Sequence, residues 1–325
     1  MTEVVAFVGA TGGAGTTRAT VETAAALARD GRTVRILDAA YATQGLARYV
    51  EGRIEKDVTA LCAGADSERE SETTDNDLDP KTASHDLDCD TLGQVSVLPA
   101  HAPFERLARA KTTTAARRFE RLCAECSEKV DHVLLDVPPV AANQHVAAVT
   151  TADRIVAVVP GDDRGTDALR QLRDRLADIG VETDAVLGVR TEVLPADATL
   201  PEIDVATTDP PAALGDDETA AAIIAAVETV LDTDTAVEID TDGILDSVRE
   251  RFDRAVGEAA EERASSHDGE KLSDIAADGS TELTAESLGE SQAASSSEGS
   301  VTTSSSEASV VTTDPDADPL AEESE

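Results

Sequence analysis

The stretch Gly9-Ala10-Thr11-Gly12-Gly13-Ala14-Gly15-Thr16-Thr17-Arg18 holds the residue types and spacing in this chain that could do chemistry. Its glycines let successive backbone N–H groups converge. The Ala-rich helical pattern behind them aims a helix N-terminus at the same point, which suits a turn that holds phosphate. The phosphate-binding pattern G-x-x-x-x-G-K-[ST] needs its lysine at the β- and γ-phosphates and its hydroxyl on magnesium. Here Thr16 stands in the lysine place and Thr17 in the hydroxyl place. The loop keeps its shape and has lost its main positive charge. Arg18, the nearest basic residue, comes one position later, where a helical turn aims it elsewhere. Two acids end apolar runs downstream: Asp38 closes Thr33 to Leu37, and Asp136 opens Asp136-Val137-Pro138-Pro139. With Thr17 they could hold Mg²⁺, partly through water. Equally, they could be acids that cap strand ends without metal.

Elements must position these groups. An apolar strand over 3–9 leads into the loop, and a helix over 16–30 leads out of it. Further buried strands read at 33–37, 95–99, 131–135, 154–159 and 186–189, with helices over roughly 104–128, 167–179 and 219–231. Strands alternate with helices, and most strands are continuously apolar, so a parallel sheet covered on both faces is expected: a doubly wound α/β domain over 1–232. Residues 65–91 are polar and acidic and are expected to be a disordered insertion. Residues 233–262 read as a linker plus an amphipathic helix carrying Ile244, Leu245, Val248, Phe252 and Val256. From 263 to 325 the chain is rich in Ser, Thr, Asp and Glu and is expected to be a disordered tail.

Composition narrows the function classes. The 325 residues carry 66 acidic against 27 basic side chains, a formal charge of −39, with no Trp. Such an acid excess with few lysines suits a salt-rich cytosol, where self-repulsion is screened, and reads as a halophile's cytoplasmic protein. It argues against direct binding to DNA or an anionic membrane, since phosphate contacts need Lys and Arg. The most basic stretch, 104–121, reads as a solvated helix face. The helix near 244–256 is too acidic for a membrane surface and suits docking onto protein. No run of 18 apolar residues appears, and the chain enters a strand without a signal-peptide pattern. Cys123-x-x-Cys126 makes no zinc spacing with Cys62, Cys89 or His101 and reads as a pair of small buried hydrophobes.

Two readings of the glycine loop stand. In the first, Gly9-Ala10-Thr11-Gly12-Gly13-Ala14-Gly15 resembles the G-A-T-G-x-x-G fingerprint of short-chain dehydrogenase relatives. Asp38 is then placed to meet a ribose hydroxyl of NAD(P). Neither Tyr41 nor Tyr49 has the lysine four residues on that hydride chemistry in that family uses. In the second, Thr11-Gly12-Gly13-Ala14-Gly15-Thr16-Thr17-Arg18 is similar to the deviant K-G-G-x-G-K-[ST]-T loop of the ParA/MinD P-loop NTPases. Asp136-Val137-Pro138-Pro139 resembles the end of that family's Walker B strand. The stretch A-D-R-I-V-A-V-V-P-G-D-D-R-G-T-D-A-L resembles its next strand and helix. This resemblance covers roughly residues 3–231, with several motifs in the right order, and is the preferred reading.

The resemblance implies a nucleotide loop over Gly12, Gly13, Ala14, Gly15, Thr16 and Thr17, with Mg²⁺ at Thr17, Asp38 and Asp136. It also implies ATP or ADP as ligand and a role in positioning, chromosome partitioning or cell division. The departures matter as much. The family's two loop lysines fall at Thr11 and Thr16, its second switch I Asp at Ala40, and its adenine-reading Asn is missing from Val189-Arg190. Losing phosphate-neutralising charge should cost orders of magnitude in hydrolysis. No catalytic residue is therefore assigned, and a pseudo-ATPase is expected, partnered by an active relative or a second copy of itself. A nucleotide-free interaction module is the remaining class.

Overall fold

The computed structural model describes residues 2–64, 78–162, 164–190, 196–204, 206–215 and 217–237. The helix expected near 244–256 and the tail from 263 lie outside them. Strand β1 (Glu3–Gly9) is buried from Val4 onward and runs straight into the glycine loop. Helix α1 (Thr16–Arg29) follows, its alanines packed against the sheet. It stops at Gly31, whose φ of 85° is left-handed and whose N–H closes on the Ala28 carbonyl. A glycine past the last turn ends a helix without the strain a Cβ would bring.

Strands β2 (Thr33–Asp38), β4 (Gln94–Leu98), β5 (His132–Val137), β6 (Arg154–Pro160) and β7 (Ala185–Val189) fall where the apolar runs place them. Two three-residue strands, β3 (His85–Leu87) and β8 (Ala198–Leu200), complete a sheet ordered β3-β4-β2-β5-β1-β6-β7-β8. Every pairing is parallel except β3 on β4. The doubly wound, mostly parallel architecture is therefore present. Helices α1 and α7 (Glu218–Leu231) cover one face. Helices α2 (Val58–Ala63), α4 (Thr113–Ser127), α5 (Asn143–Thr151) and α6 (Gly165–Ala177) cover the other. Strand β1 lies between β5 and β6, whereas the next strand in sequence, β2, lies beyond β5. Strand order reverses at β1, and a crevice opens there at the carboxyl ends of the strands.

Two expectations need correction. The helix read as continuous over 104–128 is two helices, α3 (Phe104–Ala110) and α4. Thr112 breaks it: its hydroxyl donates to the Arg109 carbonyl at 2.9 Å and accepts from the Ala115 N–H at 3.3 Å. A side chain that caps a new helix competes with continuing the old one. The stretch 65–91 is also not uniform. Residues 65–77 lie outside the described residues, but Pro80–Thr82 forms a 3-10 turn, Leu78 is buried in the core, and β3 adds to the sheet.

The basic stretch 104–121 is largely spoken for. Arg106 pairs with Asp57 at 3.0 Å, and buried Arg118 donates to the Leu61 carbonyl at 3.0 Å. Cys123 and Cys126 are buried in the core, as their reading as small hydrophobes requires, and so is Cys62. Burial pushes the Cys62 thiol up to about 12 and that of Cys126 to about 11, which leaves little thiolate for reaction.

Candidate functional site

The loop between β1 and α1 is shaped by its glycines. Gly13 has a φ of 78° and Gly15 one of 88°, both in the left-handed region where a side chain is strained. Gly15 also occupies the N-cap position of α1, and no side chain caps the helix there. The first-turn N–H groups are thus left for a ligand, and the helix dipole adds its positive end. The loop forms the wall of a cleft of about 420 Å³, lined also by Arg48, Tyr49, Asp136, Pro139 and Thr207. All six residues read from sequence as nucleotide-binding, Gly12 to Thr17, line this cleft, and so does Thr11.

Thr16 and Thr17 face different neighbours. A Cβ built on Gly9 would lie 2.6 Å from the Thr16 hydroxyl oxygen, so Thr16 folds back over the end of β1. Thr17 donates its hydroxyl to Asp136 Oδ2 at 2.6 Å. Asp136 is buried, and burial raises its carboxyl to about 6, an effect the Thr17 hydrogen bond partly offsets. Asp38 stands beside Asp136 in the register of β2 and β5. Burial, and then the charge of Asp136, hold the Asp38 carboxyl well above its usual range. Its oxygens accept the backbone N–H groups of Ala40 at 2.7 Å and Ala100 at 3.1 Å. Oxygen donors of this kind suit a hard divalent cation, and Thr17 with Asp136 fits that chemistry at the cleft. Asp38 is not among the residues that line the cleft. Among the described residues no cluster of three His, Cys, Asp or Glu forms a further metal site.

Arg18 turns inward. Its Nε lies 2.8 Å from Glu22, a wholly buried carboxylate one helical turn on. Glu22 in turn accepts the N–H groups of Ala212 at 3.1 Å and Ala213 at 2.8 Å. Arg18 still lines the cleft, but this ion pair ties its guanidinium to Glu22. The dinucleotide reading needed Asp38 at a ribose. The structure places Asp38 at 0 % exposure with its oxygens accepting backbone N–H groups, which does not support that role.

Several residues at the site escaped sequence reasoning. Gly45 approaches the loop so closely that a Cβ there would sit 2.9 Å from the Thr17 hydroxyl oxygen. It admits the 3-10 turn Leu46–Tyr49, which brings Arg48 and Tyr49 to the cleft. His145, on α5, is buried behind Pro139 and Ala39. Burial lowers its imidazole to about 4, and Lys111 adds to the shift. Its Nδ1 accepts the Ala141 N–H at 3.2 Å, so the neutral ring carries its proton on Nε2, 2.9 Å from the Gln144 side-chain amide. An amide turned with its oxygen toward that proton pairs both the ring and the otherwise unpaired Gln144 oxygen. No motif marks these residues; the fold brings Gly45, Arg48 and Tyr49 to the cleft and His145 behind its Pro139 wall.

No curated protein sequence matches the chain. Solved structures match its fold. The septum site-determining protein MinD of Pyrococcus horikoshii OT3, complexed with Mg-ADP, aligns with a TM-score of 0.57 at 19% identity, over 70% of this chain and 95% of that one. The MinC:MinD cell division complex of Aquifex aeolicus gives 0.55 at 20% identity, over 73% and 98%. A ParA family ATPase from Chlorobium tepidum TLS gives 0.51 at 15% identity, over 71% and 92%. A family model described as an AAA domain, AAA_31, matches residues 2–188, more than half of the sequence. The chain therefore belongs to the AAA_31 family and carries the ParA/MinD-like P-loop NTPase fold.

Proposed function

We propose that this chain is a ParA/MinD-like pseudo-ATPase: it binds an adenine nucleotide at the glycine loop and turns it over at or near background. It works as a regulatory or scaffold protein in intracellular positioning, chromosome partitioning or cell division. The observation that carries this reading is a glycine loop at an uncapped helix N-terminus, with Thr11 and Thr16 where the family has lysines and Arg18 paired with Glu22. Backbone N–H groups and the helix dipole can still attract phosphate. The charge that stabilises a transferring phosphoryl group is missing from the loop.

Thr17 and Asp136 would hold Mg²⁺, which would neutralise phosphate charge; Asp38, bound to backbone, would shape the site from behind. The acidity of the chain favours a protein partner over DNA or membrane. Candidates are a second copy, or an active relative that supplies the chemistry this chain lacks. Among the described residues no helix is long and apolar enough to cross a membrane.

The test is calorimetric titration of the protein in molar KCl with ATP, ADP, NAD and NADP, together with a phosphate-release assay. Saturable ATP or ADP binding with background turnover is expected. Phosphate release well above background that disappears in Asp136→Ala would overturn the pseudo-ATPase reading. Binding of NAD and not of ATP would overturn the nucleotide assignment. Binding of nothing would leave an interaction module.

A further inference from the structure

We propose that Arg48 supplies, for nucleotide binding, the positive charge that the loop has lost, and that it does so by holding the β- and γ-phosphates of the bound nucleotide from the Leu46–Tyr49 turn that lines the cleft. This rests on the nucleotide reading above and deepens it. Among the described residues two arginines line the cleft, Arg18 and Arg48. Arg18 is held by Glu22 at 2.8 Å. Arg48 is exposed and makes no ion pair or side-chain hydrogen bond among the described residues, so its guanidinium can turn to an anion without first breaking a bond.

The turn that carries Arg48 is fixed at several points. Gln44 has a left-handed φ of 51° and donates its side-chain amide to the Ala102 carbonyl at 3.0 Å. Gly45 lies against Thr17, the residue of the loop that bonds Asp136. Leu46 is wholly buried in the core beneath α1. Tyr49 packs half-buried beside the Arg18 side chain. Ordering the backbone in advance leaves only the arginine side chain to be immobilised on binding. A guanidinium offers paired donors that match phosphate oxygens, and a charge-assisted hydrogen bond of this kind is about twice as strong as a neutral one. The acidic wall works with it. Asp136 repels phosphate unless a cation screens it, so a positive group in the same cleft is what an anionic ligand needs there.

The ligand class this role requires is a nucleoside di- or triphosphate, which carries phosphates beyond the first, rather than a monophosphate. The test uses the full chain at one fixed KCl concentration with Mg²⁺ present, titrated calorimetrically with ATP, ADP, AMP and inorganic pyrophosphate. Arg48→Ala should weaken ATP, ADP and pyrophosphate by about tenfold or more and leave AMP unchanged, while Arg48→Lys, which keeps the charge and loses the paired donors, should fall between Arg48→Ala and the native chain. Melting temperatures of the variants should match the native chain, since the side chain is exposed. Equal ATP affinity in Arg48→Ala would overturn the proposal while leaving the nucleotide reading intact. So would a loss in Arg48→Lys as deep as in Arg48→Ala, or a loss as large for AMP as for ATP. Absence of nucleotide and pyrophosphate binding in the native chain would overturn both.

Discussion

His145 allows a quantitative test of how the loops beyond β2 and β5 are held together. Its imidazole is lowered to about 4 from 6.5, chiefly by burial. The unfolded chain therefore takes up a proton as pH falls through 6.5, whereas the folded chain takes it up only near 4. Stability contributed by the neutral ring is complete above pH 6.5 and is lost as pH falls through that window. Each tenfold difference in proton affinity between the folded and unfolded chain is worth about 1.4 kcal/mol, so going from pH 7 to 4.5 should cost about 2–3 kcal/mol from this residue. Asp136 works in the opposite sense. Its carboxyl is raised to about 6, so the folded chain protonates first and gains stability over much of the same range. Asp38, held well above its usual range by burial and then by the Asp136 charge, acts in the same sense as Asp136, so the native melting curve alone blends opposed effects. Comparison with His145→Gln separates them, because glutamine keeps hydrogen-bonding groups and does not titrate. The melting temperature of His145→Gln relative to the native chain should rise by roughly 5–10 °C between pH 7 and 4.5. The absolute offset reports packing and is not the test. An offset that stays constant across that pH range would refute the argument that the ring is held neutral by burial.

Three further outcomes are expected. Thr16→Lys should raise ATP affinity by restoring the loop's charge; an unchanged affinity in calorimetry would count against placing Thr16 at the lysine position. Leu78→Ala should lower stability by about 2–3 kcal/mol in denaturant unfolding, because Leu78 is 4 % exposed within the core; a neutral effect would return residues 78–91 to the status of an unstructured insertion. A chain ended after residue 240 should gain melting temperature steeply from 0.1 M toward molar KCl, since the Debye length falls from about 10 Å to about 3 Å over that range; a flat response would assign the acidity to the removed segment and remove the support for a halophilic origin.

The long strands were legible because burial on both faces leaves a continuous apolar run, as in Val4 to Val8 or Ile155 to Val159. Strands β3 and β8 were not. Three residues carry no periodicity, and His-Asp-Leu over 85–87 follows an acidic stretch that reads as solvated. Helix α5 was missed for a related reason: Asn143 to Thr151 is short, and its buried face includes Gln144 and His145. The break between α3 and α4 was hidden because both pieces keep a helical pattern, and Thr112 acts only through hydrogen bonds that the pattern does not encode. At the site, the glycine spacing and the ends of β1, β2 and β5 were readable since backbone geometry demands those residues. Arg48 was not, because its place depends on Gly45 closing onto Thr17, a contact between segments far apart along the chain.

The sheet's edges bear on assembly. Among the described residues it finishes on one side with β3 and on the other with β8, each three residues long. Strands that brief expose few unpaired N–H and C=O groups and make poor templates for another strand. Two copies of this chain, or this chain and a relative, would therefore gain little by zipping their sheets into one. Any pairing must instead use side-chain surfaces, and the mouth of the cleft at the carboxyl ends of the strands is where such a contact would also control entry and exit of whatever the loop holds.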